Sequence, residues 1–317
     1  MVAGLLLSAA ASAAKDKKEK KDAGPVKPIG WLYVHDGARE LSVSKEDLQK
    51  GTRPLSQGSL VPVFKTKVKN GATYGRVASL DLGMGQAELG WVKIDPSELK
   101  PPDAYPPDDD LVPHLGGPYL DDVVTKHTDM ARFLVHQPDG ADVLLCYVFT
   151  GPLSMAKLVA FTSNQGKYTP GASMNVPMME LEGGLSSLEI RDLVGDGNDC
   201  IIANEYFHEL ASTLGSNLVI RRIEQGKFQT VWQVPIRYKN LSQYNAELKI
   251  LQPPVKNIGT PGTVTTGEVT YRPNGKGATP VWKGKVEFFI INREKALDSV
   301  TIEKECPWDG REFAPLK

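Results

Sequence analysis

One stretch of this 317-residue chain has residue types and spacing that could hold a hard cation. In Asp192-Leu193-Val194-Gly195-Asp196-Gly197-Asn198-Asp199-Cys200, oxygen-bearing side chains recur around two glycines that permit a sharp turn, the logic by which short loops wrap calcium. The same residues also suit a plain Asp/Gly turn leading into a buried strand. Other chemistry fails on spacing. His208-Glu209-Leu210-Ala211 begins as a zinc-binding helix would, but Ser212 stands where the second histidine is required. Asp108-Asp109-Asp110 reads as a solvated acidic run, and Gly83-Met84-Gly85 lacks the third glycine of a dinucleotide loop. Neither Gly-x-Ser-x-Gly nor a P-loop occurs, so no catalytic residue is assigned. Cys146, Cys200 and Cys306 show no metal spacing, and opposite strand parity disfavours pairing Cys146 with Cys200. Aromatic residues are the remaining lead: Trp31 and Tyr33 share one face of a strand and, with Tyr74, are candidate ligand-binding residues for peptide or glycan.

The elements that must position these groups are strands. With 30 Gly and 23 Pro the chain is rich in turns, which favours many short strands over a helical bundle. Its 41% hydrophobic and 24% charged residues are ordinary globular usage, enough for two domains. The 37 Lys+Arg against 38 Asp+Glu leave no basic field for nucleic acid or an anionic membrane surface. From Gly30 to Leu99, short alternating runs are cut by turn signals, with Asn70-Gly71 marking a hairpin. The segments Ser59–Phe64, Tyr74-Gly75-Arg76-Val77 and Gly90-Trp91-Val92, followed by Ser97-Glu98-Leu99, resemble the bacterial SH3-like domain. That resemblance implies a small barrel over residues 30–99 that engages peptide or peptidoglycan.

Pro101, Pro102, Pro106, Pro107 and Pro113 predict an extended acidic linker over 100–117, where the domain boundary is placed. The apolar spacing of Leu120–Val135 is compatible with a short helix. Beyond it the chain repeats itself. Asp139-Gly140 with the run Val143–Phe149, then Gln165-Gly166-Lys167-Tyr168, lines up with Asp196-Gly197, the run Cys200–Phe207 and Gln225-Gly226-Lys227-Phe228. A third unit is expected to end at Lys283–Asn292 after a hairpin at Asn274-Gly275. The Asp192 loop and its strand resemble the FG-GAP/VCBS propeller repeats. By that resemblance Asp192 and Asp196 are metal ligands and Asn198 supplies a backbone carbonyl, whereas Val194 and Cys200 replace the remaining donors. At most weak Ca²⁺ binding is implied, and no other cofactor.

Met1–Ala14 is apolar and ends in small residues with an Ala-x-Ala pattern, which predicts a signal peptide, and 15–29 reads as a charged tether around KDKKEKKD. No segment holds the roughly 20 apolar residues of a membrane span. The expected architecture is therefore mostly β: an SH3-like barrel at 30–99, then a β domain over 118–317 of two or three propeller-like units forming an open sheet or sandwich, too few to close a propeller. The function expected is that of a secreted or periplasmic, non-catalytic binding or scaffolding protein of the cell envelope, with protein, peptide or cell-wall glycan as partner. The alternatives are a calcium-dependent adhesion protein using the Asp192 loop and a hydrolase with an unrecognised site.

Overall fold

The computed structural model describes residues 27–35, 39–42, 53–82, 87–115, 130–149, 155–164, 167–177, 185–210, 213–240, 261–290, 296 and 298–316. The expected signal peptide, most of the tether, Gly83-Met84-Gly85, Ser212 and the Gln165-Gly166 turn lie outside these residues.

The chain is mostly β. Alternation in the N-terminal unit yields β1 (Gly30–Tyr33), β2 (Arg39–Leu41), β3 (Arg53–Leu55), β4 (Leu60–Lys69), β5 (Ala72–Leu80) and β6 (Ala87–Ile94). They form an antiparallel sheet in the order β1-β4-β5-β6 with a two-stranded ribbon, β2-β3. Leu32, Val63, Val77 and Val92 point to one side and bury with Leu41, Leu55 and Ile94. Asn70 and Gly71 adopt φ of 51° and 75°, the left-handed pair that a two-residue hairpin needs to match strand twist. A 3₁₀ turn at Pro96–Glu98 ends the unit, capped by Asp95, whose carboxylate accepts from Ser97 N at 2.9 Å.

Two meanders of the same topology follow. The first is β7 (Met130–His136), β8 (Asp142–Phe149), β9 (Met155–Asn164) and β10 (Lys167–Pro177), ordered β10-β9-β8-β7. The second is β11 (Leu185–Arg191), β12 (Cys200–Leu210), β13 (Thr213–Glu224) and β14 (Lys227–Asn240). The two runs matched by the sequence repeat are thus the second strands of equivalent meanders, β8 and β12. The third unit is not separate. β15 (Pro261–Asn274), β16 (Gly277–Ile290) and β17 (Asp298–Glu305) extend the second meander to seven strands through a short pairing of Arg237–Asn240 with Thr263–Thr266. Among the described residues no sheet closes into a barrel or a propeller.

Three sequence expectations are corrected here. Residues 130–135 form strand β7 instead of the end of a helix, the remainder of that stretch up to 129 lying outside the described residues. β7 is buried on both faces, which erases the period-2 signal: Phe133 and Val135 enter the core shared with β11 and β12, whereas Met130 and Leu134 enter a second core. Within the expected linker, residues 108–115 are not an extended, solvated spacer. They form helix α1 (Asp108–Leu115), whose Leu111 and Leu115 are fully buried against Trp31, Leu144 and Phe161. The acidic run likewise is not wholly solvated, because Asp108 is buried in an ion pair with Arg132.

The first meander is therefore a middle layer. One face packs Val143, Leu145 and Tyr147 against Leu188, Ile190 and Ile201, and the other packs Leu144, Cys146 and Phe161 against α1, Trp31 and Leu60. Gln57-Gly58-Ser59 is wedged where the layers meet. Gly58 N donates to Val34 O (2.8 Å), Leu134 N to Gly58 O (3.0 Å) and Ile190 N to Gln57 O (3.0 Å), so one tripeptide bonds to three other segments.

Candidate functional site

Folding α1 and its leader back across the middle layer creates an open groove of about 1170 Å³. Its walls come from three distant segments: Trp31 of β1, Pro102–His114 of the strap, and Ser163, Lys167 and Tyr168 of the β9–β10 hairpin. The strap is held in place by chemistry as well as apolar burial. Trp31 Nε1 donates to Pro102 O at 3.1 Å, and the Trp31 ring meets Tyr105 edge-on at 5.9 Å. On its other side the Arg132 guanidinium stacks 4.6 Å from the Trp31 ring centroid, pairs with Asp108 and donates to Pro106 O at 2.9 Å.

The partly exposed rings in the groove are Tyr105 and Tyr168. Burial, with smaller contributions from Tyr168 and Asp142, pushes the Tyr105 phenol up to about 12. Burial also raises Tyr168 against a hydrogen bond from Ser163, so both phenols are protonated at neutral pH and can donate as well as accept.

Strand register continues this polar end across the whole sheet. His136 lies opposite Asp142, Tyr168 lies opposite Ser163, and the pairing of Val143 with Thr162 sets Asp142 beside Ser163. A row of side chains thus crosses β7, β8, β9 and β10 at the strand spacing of about 4.8 Å. His136 Nδ1 is 2.6 Å from Asp142 Oδ1, and His136 Nε2 is 3.3 Å from the Tyr33 hydroxyl. Behind it, Asp199 Oδ2 accepts from His136 N at 2.8 Å and Asp199 N donates to His136 O at 3.0 Å.

Burial raises the Asp199 pKa, opposed by that backbone bond. A carboxyl that holds its proton more tightly when folded favours the native state at low pH, and this advantage disappears as pH rises from the ordinary carboxylate value through the raised one. Asp199→Asn, which keeps an acceptor for His136 N, should flatten that fall in a urea-midpoint series from about pH 4 to pH 7. An unchanged slope would assign the pH dependence to other groups.

The residues singled out in the sequence have different places. Trp31 and Tyr33 do share a face, but it is turned onto the middle layer: Trp31 is 3% exposed and forms the back wall of the groove, and Tyr33 bonds His136. Tyr74 is 4% exposed and does not line the groove. The face that Trp31 and Tyr33 share therefore packs between layers instead of forming an exposed platform. Tyr105, Tyr168, Ser163, His136 and Asp142 were missed. One signal was present: the aligned aromatic of the two copies is Tyr168 in the first and Phe228 in the second, a hydroxyl gained where the first copy faces the strap.

The Asp192 loop does not fit a calcium ion. Asp192 Oδ1 accepts from the backbone N of Val194 and Gly195 (3.1 and 2.6 Å), and Oδ2 from Gly197 N at 2.8 Å. Both Asp196 oxygens face Arg222 Nη2, at 2.8 and 2.7 Å, and Asn198 lies between Gln137 and the same guanidinium. The positive charge that this loop needs is thus supplied by a buried arginine stacked 5.3 Å from the Trp308 ring. Among the described residues no three His, Cys, Asp or Glu side chains converge as a metal site requires. Asp196→Ala should cost about 2 kcal/mol by unpairing Arg222, equally in EDTA and in excess calcium. A calcium-induced rise in Tm that this variant abolishes would restore the metal reading.

His208 and Glu209 lie in strand β12 instead of a helix. The three cysteines are free and buried, and burial pushes Cys146 and Cys200 each up to about 12, leaving protonated, unreactive thiols. No family model, curated protein or solved structure matches the chain.

Proposed function

We propose that the protein is an exported, non-catalytic binding protein of the cell envelope whose ligand site is the groove between the strap, β1 and the β9–β10 hairpin. One observation carries this reading. Three segments remote in sequence are brought together around an open groove with two half-exposed phenols, and a buried ion pair and an indole hydrogen bond are spent on holding its wall in place. Walls fixed in this way lower the ordering cost of binding a ligand. The apolar first residues and the SH3-like resemblance of 30–99 support an envelope setting, with the N-terminal unit acting as one wall of the site.

Co-sedimentation of the full chain with purified insoluble cell-wall sacculi tests the proposal. The chain should pellet with the sacculi, and the double variant Tyr105→Ala/Tyr168→Ala, folded by circular dichroism, should stay in the supernatant. Failure of the parent chain to pellet, or pelleting that ignores both tyrosines, overturns it.

A further inference from the structure

The groove's chemistry distinguishes between the two ligand classes that such a site could serve. An extended peptide is usually recognised through its backbone, by adding a strand to a sheet edge or by packing a polyproline helix on aromatic rings. Strand addition is poorly served here. β10 is the edge of its sheet, but Pro170 lacks an N–H and the β9–β10 register shifts between Pro170 and Ser173. The strap opposite carries Pro102, Pro106 and Pro107, which also lack an N–H. The indole donor best placed to meet a peptide carbonyl, Trp31 Nε1, already bonds Pro102 O.

What the groove does present is side-chain chemistry: ring faces beside groups that both donate and accept. Tyr105 and Tyr168 offer apolar faces with protonated hydroxyls, Ser163 lies opposite Tyr168, and Asp142 and His136 continue the row beyond the groove's lining at one strand spacing per group. A pyranose ring has the matching surface, with C–H groups on its faces and hydroxyls around its rim that each need a donor and an acceptor. The carboxylates of Asp103, Asp109 and Asp110 along the strap, unpaired among the described residues, outnumber the groove's two lysines, Lys27 and Lys167, and the excess negative charge disfavours an anionic sugar.

We infer that the groove is a saccharide site for an uncharged glycan, with sugar rings packed on Tyr105 and Tyr168 and hydroxyls held by Ser163 and the row beyond it. This inference rests on the binding reading above and deepens it.

Isothermal titration of the full chain with four probes tests it: cellotetraose, tetra-N-acetylchitotetraose, tetragalacturonate and a proline-rich decapeptide. At least one neutral tetrasaccharide should bind, and tetragalacturonate should bind at least tenfold more weakly. Tyr105→Ala or Tyr168→Ala should each weaken the neutral sugar about tenfold, the size of one lost aromatic contact, whereas Tyr168→Phe should retain most of the affinity. Binding of the decapeptide alone, or neutral-sugar binding indifferent to both tyrosines, overturns the inference. The two readings fail separately. Sacculus binding that requires both tyrosines but is competed only by the peptide leaves the groove as the binding site and removes the glycan. Sacculus binding that ignores the tyrosines removes both.

Discussion

Gly58→Ala is expected to lower stability by about 3 kcal/mol or more, read as the shift in urea midpoint at unchanged slope. Two costs combine at this residue. Its φ of 80° is left-handed, which costs an L-residue with a Cβ roughly 1–2 kcal/mol. The added carbon would also fall against Ile190, 2.8 Å from its Cγ1, and crowding a packed core costs about 1–3 kcal/mol. Neither side can yield easily. Gly58 is bonded through its N to Val34 and through its O to Leu134, and Ile190 is buried at 2% exposure with its own N–H bonded to Gln57. Gly71→Ala is the control, because Gly71 has φ of 75° but nothing within 4 Å of the position a Cβ would take. It should lose only the backbone cost, roughly 1–2 kcal/mol. Equal losses at the two glycines would show that the wedge between layers is not closely packed.

Arg132→Met is expected to cost about 3–5 kcal/mol, because it leaves the Asp108 carboxylate buried at 7% exposure without its guanidinium partner. It also removes the bond to Pro106 O and the stacking on Trp31, so the strap should loosen along with the fold. Arg132→Lys should be intermediate: the charge survives, but the planar fork that serves Asp108 and Pro106 together while lying on the indole does not. Adding Asp108→Asn to Arg132→Met should recover part of the loss by removing the stranded charge, a coupling that a double-mutant cycle measures directly. A loss below about 1 kcal/mol in Arg132→Met would mean that Leu111 and Leu115 dock the strap without help from the ion pair.

These two residues also mark where reading the sequence succeeds and where it stops. Asn70-Gly71 announces its hairpin because the turn is a local requirement, met by the two residue types that tolerate left-handed backbone. The duplicated Asp-Gly signals locate two equivalent meanders for the same reason, Gly140 and Gly197 both being left-handed. Gly58 and Arg132 carry no such signal. Gly58 is required by Ile190, more than a hundred positions away, and Arg132 by Asp108 and Trp31 on other segments. Composition cannot distinguish a solvated acidic run from one whose first carboxylate is buried, since what decides is a guanidinium brought in by β7.

The candidate site divides in the same way. Strand parity correctly places Trp31 and Tyr33 on one face, because side chains alternate along any strand. It says nothing of what covers that face, and the middle layer and the strap turn an expected surface platform into a groove wall. In the Asp192 loop, the spacing of carboxylates around glycines indicates a tight turn into a strand, and it leaves open what positive charge the carboxylates face. That the charge belongs to Arg222 was decided by the β13 register, which brings a buried guanidinium to Asp196. By itself, then, the sequence determined strands, hairpins, the duplicated unit and the open mostly-β class, all of which depend on neighbours within a few residues. Which faces are covered, which carboxylates are paired and where a groove opens were decided only by the tertiary structure, because those energies are set by groups that meet when distant segments pack.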